Sequence, residues 1–255
     1  MRLVRTEGSG GKQTRQMLRE LELRGARNTA RTMPVVQRIV GDVRKGGDKA
    51  LRRYAAKLDG LTAQQPLEIG RAEMEQAWEA TPKPLQAALQ TAAGNIRRFA
   101  QRQMPKDWSA ASNGLTTGQR VRALGAVGCY VPSGRYPLPS TLLMTVIPAQ
   151  VAGVQRIVAV SAKPAKETLA AASLLGISEF YRVGGAQAIA ALAFGTESIR
   201  RVDKIVGPGN WYVTAAKKMV AFDCAIDMLA GPTEIVVTSE TGDPVGIAAD
   251  LVAQA

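Results

Sequence analysis

From residue 126 onward the chain alternates short β-rich stretches with helical ones, and this alternation constrains the fold more than any other feature. The β stretches are residues 126–131, 156–161, 177–183, 204–206 and 234–239, with Ile226 and Met228 on a short extended piece. Helices are expected at 140–152, 165–175, 186–194 and 211–221, the first kinked or shortened by Pro148 and capped by Ser140. Strands joined through helices run parallel, and a parallel sheet needs cover on both faces. The expected class is therefore α/β, with helices on both faces of a mostly parallel sheet.

The first third reads as helical. Pro34 suits a first helical position, and Val35, Val36, Ile39, Val40 and Val43 follow at helical spacing. Gly46-Gly47 breaks the pattern, and Asp48 is placed to cap a helix that buries Leu51, Tyr54, Ala55 and Leu58. After Pro84, Leu85, Ala88, Leu89, Ala92, Ile96 and Phe99 mark another apolar stripe. Asp243-Pro244 opens a last helix with Ile247, Leu251 and Val252 inward. That pattern still reads as helix at Ala255, so a truncated chain is expected.

Three glycine-bearing turns fall at the carboxyl ends of expected strands: Ser133-Gly134, Gly184-Gly185 and Gly207-Pro208-Gly209. Such turns expose backbone N–H groups to an anionic or nucleotide ligand. Gln187 is the only long polar side chain in the first turn of its helix, suited to a ligand contact or to an ordinary helix surface. Gly8-Ser9-Gly10-Gly11-Lys12-Gln13 is not a phosphate loop, because the first glycine, the hydroxyl after the lysine and the preceding strand are missing.

Composition narrows the chemistry. The 255 residues are 46% hydrophobic and include no histidine, so a His-based triad, a Cys–His pair and a histidine zinc site are excluded from this chain alone. Cys129 and Cys224 read as buried thiols. A formal charge of +12 suits an anionic ligand or simply a solvated basic surface. Aromatic residues are only 5%, which argues against nucleic acid as partner. The N-terminus lacks a signal-peptide core and no apolar run is long enough for a bilayer, so no membrane and a cytoplasmic location are expected.

Several segments resemble the histidinol dehydrogenase family. They are Gly128-Cys129-Tyr130-Val131-Pro132, Ser140-Thr141-Leu142-Leu143-Met144, the run from Val183 to Ser198, the run from Val202 to Asn210, Ile226-Asp227-Met228 and Ala230-Gly231-Pro232-Thr233-Glu234. The resemblance covers about Val35 onward. It implies two Rossmann-like units, the second inserted into the first, after a helical N-terminal region. Its domains would be an arm at 1–32, a helical region with the start of the first unit at 33–129, an NAD-binding unit at 130–232 and a return to the first unit at 233–255. It also implies a homodimer that uses NAD and zinc to oxidise L-histidinol to L-histidine through the aldehyde. Tyr130, Gln187 and Asn210 would contact NAD, Thr233 and Gln254 the substrate, and Gln254 also the zinc. No catalytic base falls within this chain, which would be inactive alone. The competing expectations are a related zinc-dependent dehydrogenase of a small (sulfo)diol and a non-catalytic nucleotide-binding protein.

Overall fold

The computed structural model describes residues 11–134, 136–229 and 236–254, and for 21–29 and 253–254 the backbone alone. Helix α1 spans Gly11–Tyr54, followed by a π-helical turn, Ala55–Asp59, that Gly60 ends with φ 71°. Pro34 lies inside α1 rather than at its start. The preceding Leu18-Arg19-Glu20 stretch is made of good helix formers, and an interior proline removes one backbone bond. Gly47 does break the helix, with φ 50° and ψ −136°. Asp48 is not a cap: its carboxylate accepts from the backbone N–H (3.2 Å) and the hydroxyl of Ser198. The kink is thereby tied to a loop 150 residues downstream.

Helices α2 (Arg71–Glu79) and α3 (Lys83–Gln103) follow. Val36, Ile39, Val40, Val43, Leu51, Ala55 and Leu89 are buried as expected, whereas Val35, Leu58 and Phe99 are exposed at the edges of their stripes. Strands β1 (Trp108–Ser112) and β2 (Leu115–Gln119) form an exposed antiparallel hairpin that the sequence pattern does not announce. Asn113 and Gly114 turn it with φ 50° and 78°, the left-handed pair that an Asn-Gly hairpin turn requires.

The main sheet is parallel throughout. Its strands are β3 (Ala126–Tyr130), β4 (Arg156–Val160), β5 (Glu179–Tyr181), β6 (Lys204–Val206) and β7 (Ala225–Ile226), in the order β5-β4-β3-β6-β7. Between them lie α4 (Pro139–Val151), α5 (Lys166–Leu174), α6 (Gly185–Phe194) and α7 (Trp211–Val220). Helices α1, α6 and α7 pack together on one face, and α2 to α5 cover the other. Gly128 permits the close approach of α6, since a Cβ there would stand 2.9 Å from Leu192. This is the doubly wound arrangement, with the strand order reversing between β3 and β6.

Two local expectations for α4 fail. Ser140 does not cap it, because the helix starts from Leu138, which makes no side-chain cap bond. Pro148 does not stop it either: near the C-terminal end its missing N–H costs a single bond. Cys129 and Cys224 are buried thiols, and burial pushes them up to about 12 and about 11.

Helix α8 spans Pro244–Gln254, and Asp243 caps it by accepting from Val245 N (3.0 Å) and Gly246 N (3.0 Å). Leu251 and Val252 are exposed rather than inward, because no described residue covers them. Residues 234 and 235 lie outside the described residues, and 236–239 form no strand. Residues 236–239 pair with none of the described strands, so no ladder forms there.

Candidate functional site

The carboxyl ends of β3 and β4 and the turns after β5 and β6 meet in one crevice. It holds a cavity of about 570 Å³ lined among others by Tyr130, Ser133, Lys163, Gly185, Gln187 and Asn210. The position is the switch point of the sheet, where the helices after β3 and β6 leave toward opposite faces.

Each side chain is placed by its own element. Tyr130 ends β3, is buried, and its hydroxyl oxygen accepts from Gly185 N at 3.1 Å. Burial, outweighing that bond and aided by the nearby Asp59 charge, raises its pKa, so the phenol stays protonated. Gln187 stands in the first turn of α6, 1% exposed, which removes the helix-surface alternative. Its Nε2 donates to Asp59 Oδ2 at 3.0 Å, and its Oε1 is buried with no partner. Asn210 caps α7: its Oδ1 accepts from Tyr212 N (3.0 Å) and Val213 N (3.1 Å), which leaves Nδ2 as the group able to donate elsewhere.

The turns hold these groups in register. Gly207 has φ 111°, and a Cβ there would stand 2.1 Å from the Tyr130 carbonyl oxygen. The same glycine's N–H donates to Asp227 Oδ2 (2.8 Å), while its carbonyl accepts from the Nζ of Lys217 (2.5 Å). Lys217 is buried and also donates to Asp227 Oδ1 at 2.6 Å, so an ion pair between a buried lysine and a more exposed aspartate fixes the turn that leads to Asn210. Ser133 ties the turn after β3 to the end of β4: its Oγ lies 2.9 Å from Ser161 Oγ and accepts from Lys163 N at 2.8 Å.

Three of the expected contacts, Tyr130, Gln187 and Asn210, thus line one cavity. Thr233 lies outside the described residues. Gln254 is on α8, with only its backbone described. Sequence reasoning missed Asp59, Arg38, Lys57 and Lys163, which also line the cavity. The Asp59-Gly60 pair reads locally as a helix end and carries no local signal of a site.

Arg38, Lys57 and Lys163 make the cavity rim positive, and the unpartnered Gln187 Oε1 asks for a donor. A dinucleotide has both phosphates and hydroxyl donors, so the residues fit such a ligand. Zinc is different. The chain has no histidine, and among the described residues no three His, Cys, Asp or Glu side chains gather as a metal site. The described residues do not fit zinc by themselves. A second cavity of about 700 Å³, lined by Met104, Leu124, Val127, Met144, Pro148 and Met228 among others, is mainly apolar and offers no comparable polar convergence. No described helix is long and apolar enough to cross a membrane.

The family model described as histidinol dehydrogenase matches residues 22–255. A histidinol dehydrogenase of Methanothermobacter thermautotrophicus is 49% identical over 225 residues, 85% of this chain and 52% of that protein. One from Bacillus subtilis is 48% identical over 228 residues, 86% of this chain and 53% of that protein. The crystal structure of histidinol dehydrogenase from Elizabethkingia anophelis superposes with a TM-score of 0.80 at 38% identity, covering 87% of this chain and 53% of that one. The chain spans about half the length of these relatives.

Proposed function

Since the chain belongs to the histidinol dehydrogenase family, we propose that it is the NAD-holding part of an enzyme that oxidises L-histidinol to L-histidine through the aldehyde. The observation that carries this reading is the meeting of Tyr130, Gln187 and Asn210 in one crevice at the sheet's switch point. Two NAD⁺ molecules in turn would supply the oxidising power, one taking a hydride from the alcohol and the next from the aldehyde after it adds water. The chain's own residues hold and orient the cofactor. The Tyr130 hydroxyl and Asn210 Nδ2 offer donors, Gln187 Oε1 offers an acceptor, and Arg38, Lys57 and Lys163 would supply positive charge for its phosphates.

The division of the chain belongs to the same proposal: an arm at 1–32, a helical region with the start of the first unit at 33–129, the NAD-binding unit at 130–232, and a return to the first unit at 233–255. So do a homodimer, a cytoplasmic location, zinc contact by Gln254, and substrate contact by Thr233 and Gln254. Alcohol oxidation also needs a base for the hydroxyl proton, and a chain without histidine lacks the usual one. The 255 residues alone are therefore expected to bind NAD⁺ without turning over histidinol. Calorimetric titration with NAD⁺ reads the first half, and absorbance of NADH with histidinol reads the second. No NAD⁺ binding, or NADH formation above a no-enzyme control, would overturn the corresponding half.

A further inference from the structure

Asp59 belongs to the helical region before the sheet, yet its carboxylate reaches the crevice. It ends the π-helical turn after α1 and is 8% exposed. One oxygen, Oδ2, accepts from Gly184 N at 3.0 Å and from Gln187 Nε2 at 3.0 Å, groups 125 and 128 residues away in sequence. Those two donors lie on the glycine turn after β5 and in the first turn of α6.

An ionised carboxylate only accepts hydrogen bonds, so a carboxamide facing it must present its NH2. The Gln187 amide is thereby fixed in one of its two orientations. The opposite end, Oε1, is then left buried without a partner. An unpartnered buried carbonyl costs free energy until something donates to it. It stands in a residue that lines the cavity, beside Tyr130 and Asn210.

We propose that Asp59 is a positioning residue for the ligand: it locks the Gln187 carboxamide so that Oε1 accepts a hydrogen bond from a hydroxyl or amide N–H of the bound dinucleotide. The inference rests on the reading of the crevice as the NAD site. Burial raises the Asp59 pKa, while the Gly184 and Gln187 bonds and the Lys163 charge oppose that rise. Asparagine at this position keeps an acceptor oxygen for both donors, whereas alanine frees the Gln187 amide to turn over.

The test uses the 255-residue chain and NAD⁺ itself. Asp59→Ala is expected to weaken NAD⁺ binding about tenfold, the loss of one well-made hydrogen bond. Asp59→Asn is expected to stay within about threefold of the parent, by the same scale. In a Gln187→Leu background, Asp59→Ala is expected to cost little more, because the residue acts through that amide. A general folding role would instead weaken both backgrounds equally and leave the asparagine variant impaired, and either result overturns the proposal. Should the alanine variant not fold, the parent decides: the Gln187 side-chain carbonyl resonance, followed by NMR, should shift in step with NAD⁺ saturation. A resonance that stays put while NAD⁺ binds overturns the role of Oε1 alone. Absence of any NAD⁺ binding by the parent overturns the reading beneath it as well.

Discussion

At the scale of single residues, the glycine turns meet the tightest geometry. Gly207 combines a φ of 111° with a Cβ direction that runs into the Tyr130 carbonyl oxygen, which is backbone and has little room to move. Alanine there meets both a strained dihedral and a main-chain clash. Gly207→Ala is expected to lower stability by about 2–4 kcal/mol and to weaken NAD⁺ binding, because the shift passes to Tyr130 and Asn210 together. Urea unfolding and titration with NAD⁺ read the two effects, and an unchanged midpoint would refute the packing argument. Gly207, like Gly184-Gly185, stands out in sequence because a glycine directly after a strand marks a tight bend or a close backbone approach. Gln187 is legible beside such a turn, whereas Tyr130 and Asn210 are singled out only by the family resemblance. Asp59 is not legible, since its partners are more than a hundred residues distant and nothing in its own neighbourhood names them. Asp48 misled for the same reason: an aspartate after a glycine pair looks like a cap, while its true partner is Ser198.

Elements differ in how strongly they are fixed. Strand β5 is locked to β4 by Glu179, whose two carboxylate oxygens accept from Arg156 Nε (2.7 Å) and a second guanidinium nitrogen (2.8 Å), with Arg200 at 3.3 Å. The Arg156 hydrogen bond, stronger than the opposing burial, lowers the Glu179 pKa from 4.5. A lowered carboxylate pKa stabilises the fold above the unfolded value and loses that stability as pH falls through the folded one. Glu179→Gln should therefore cost about 1–2 kcal/mol at neutral pH, a figure discounted for partial exposure. Its deficit should shrink as pH drops below 4.5. Urea midpoints of parent and variant at neutral and acid pH measure this, and a gap independent of pH would sink it. The β1–β2 hairpin lies at the other extreme, with every strand residue exposed. Its amides are expected to exchange with solvent far faster than those of β3 and β4, as hydrogen-exchange mass spectrometry would read. Protection equal to β3 would mean that something covers the hairpin. Its Asn-Gly turn was present in the sequence, but strands exposed on both sides lack the apolar alternation that announces a strand.

For the whole molecule, local patterns carry the parallel class and the two covered faces, because buried strands and amphipathic helices leave short-range periodicities. The order β5-β4-β3-β6-β7, and with it the crevice, depends on contacts between distant segments that no window of sequence contains. Net charge is likewise a property of the whole. The +12 charge is scattered, yet Arg38, Lys57 and Lys163 converge at the crevice from α1, the π-helical turn and the loop after β4. All three residues are exposed, so salt should screen their attraction for phosphate. Raising NaCl from about 0.05 M to about 0.5 M is expected to weaken NAD⁺ binding severalfold, since the Debye length falls from well above to well below the width of such a cavity. Adenosine, which has no phosphate, should bind with little dependence on salt. Equal salt sensitivity for both ligands would mean that the cations act as a general basic surface rather than as a phosphate-facing rim, and replacing Lys163 by Gln should then leave the NAD⁺ salt slope unchanged. If the rim reading holds, that single replacement flattens the slope, because one of three converging charges is gone while the fold, in which the Lys163 backbone N–H and not its side chain bonds Ser133, is kept.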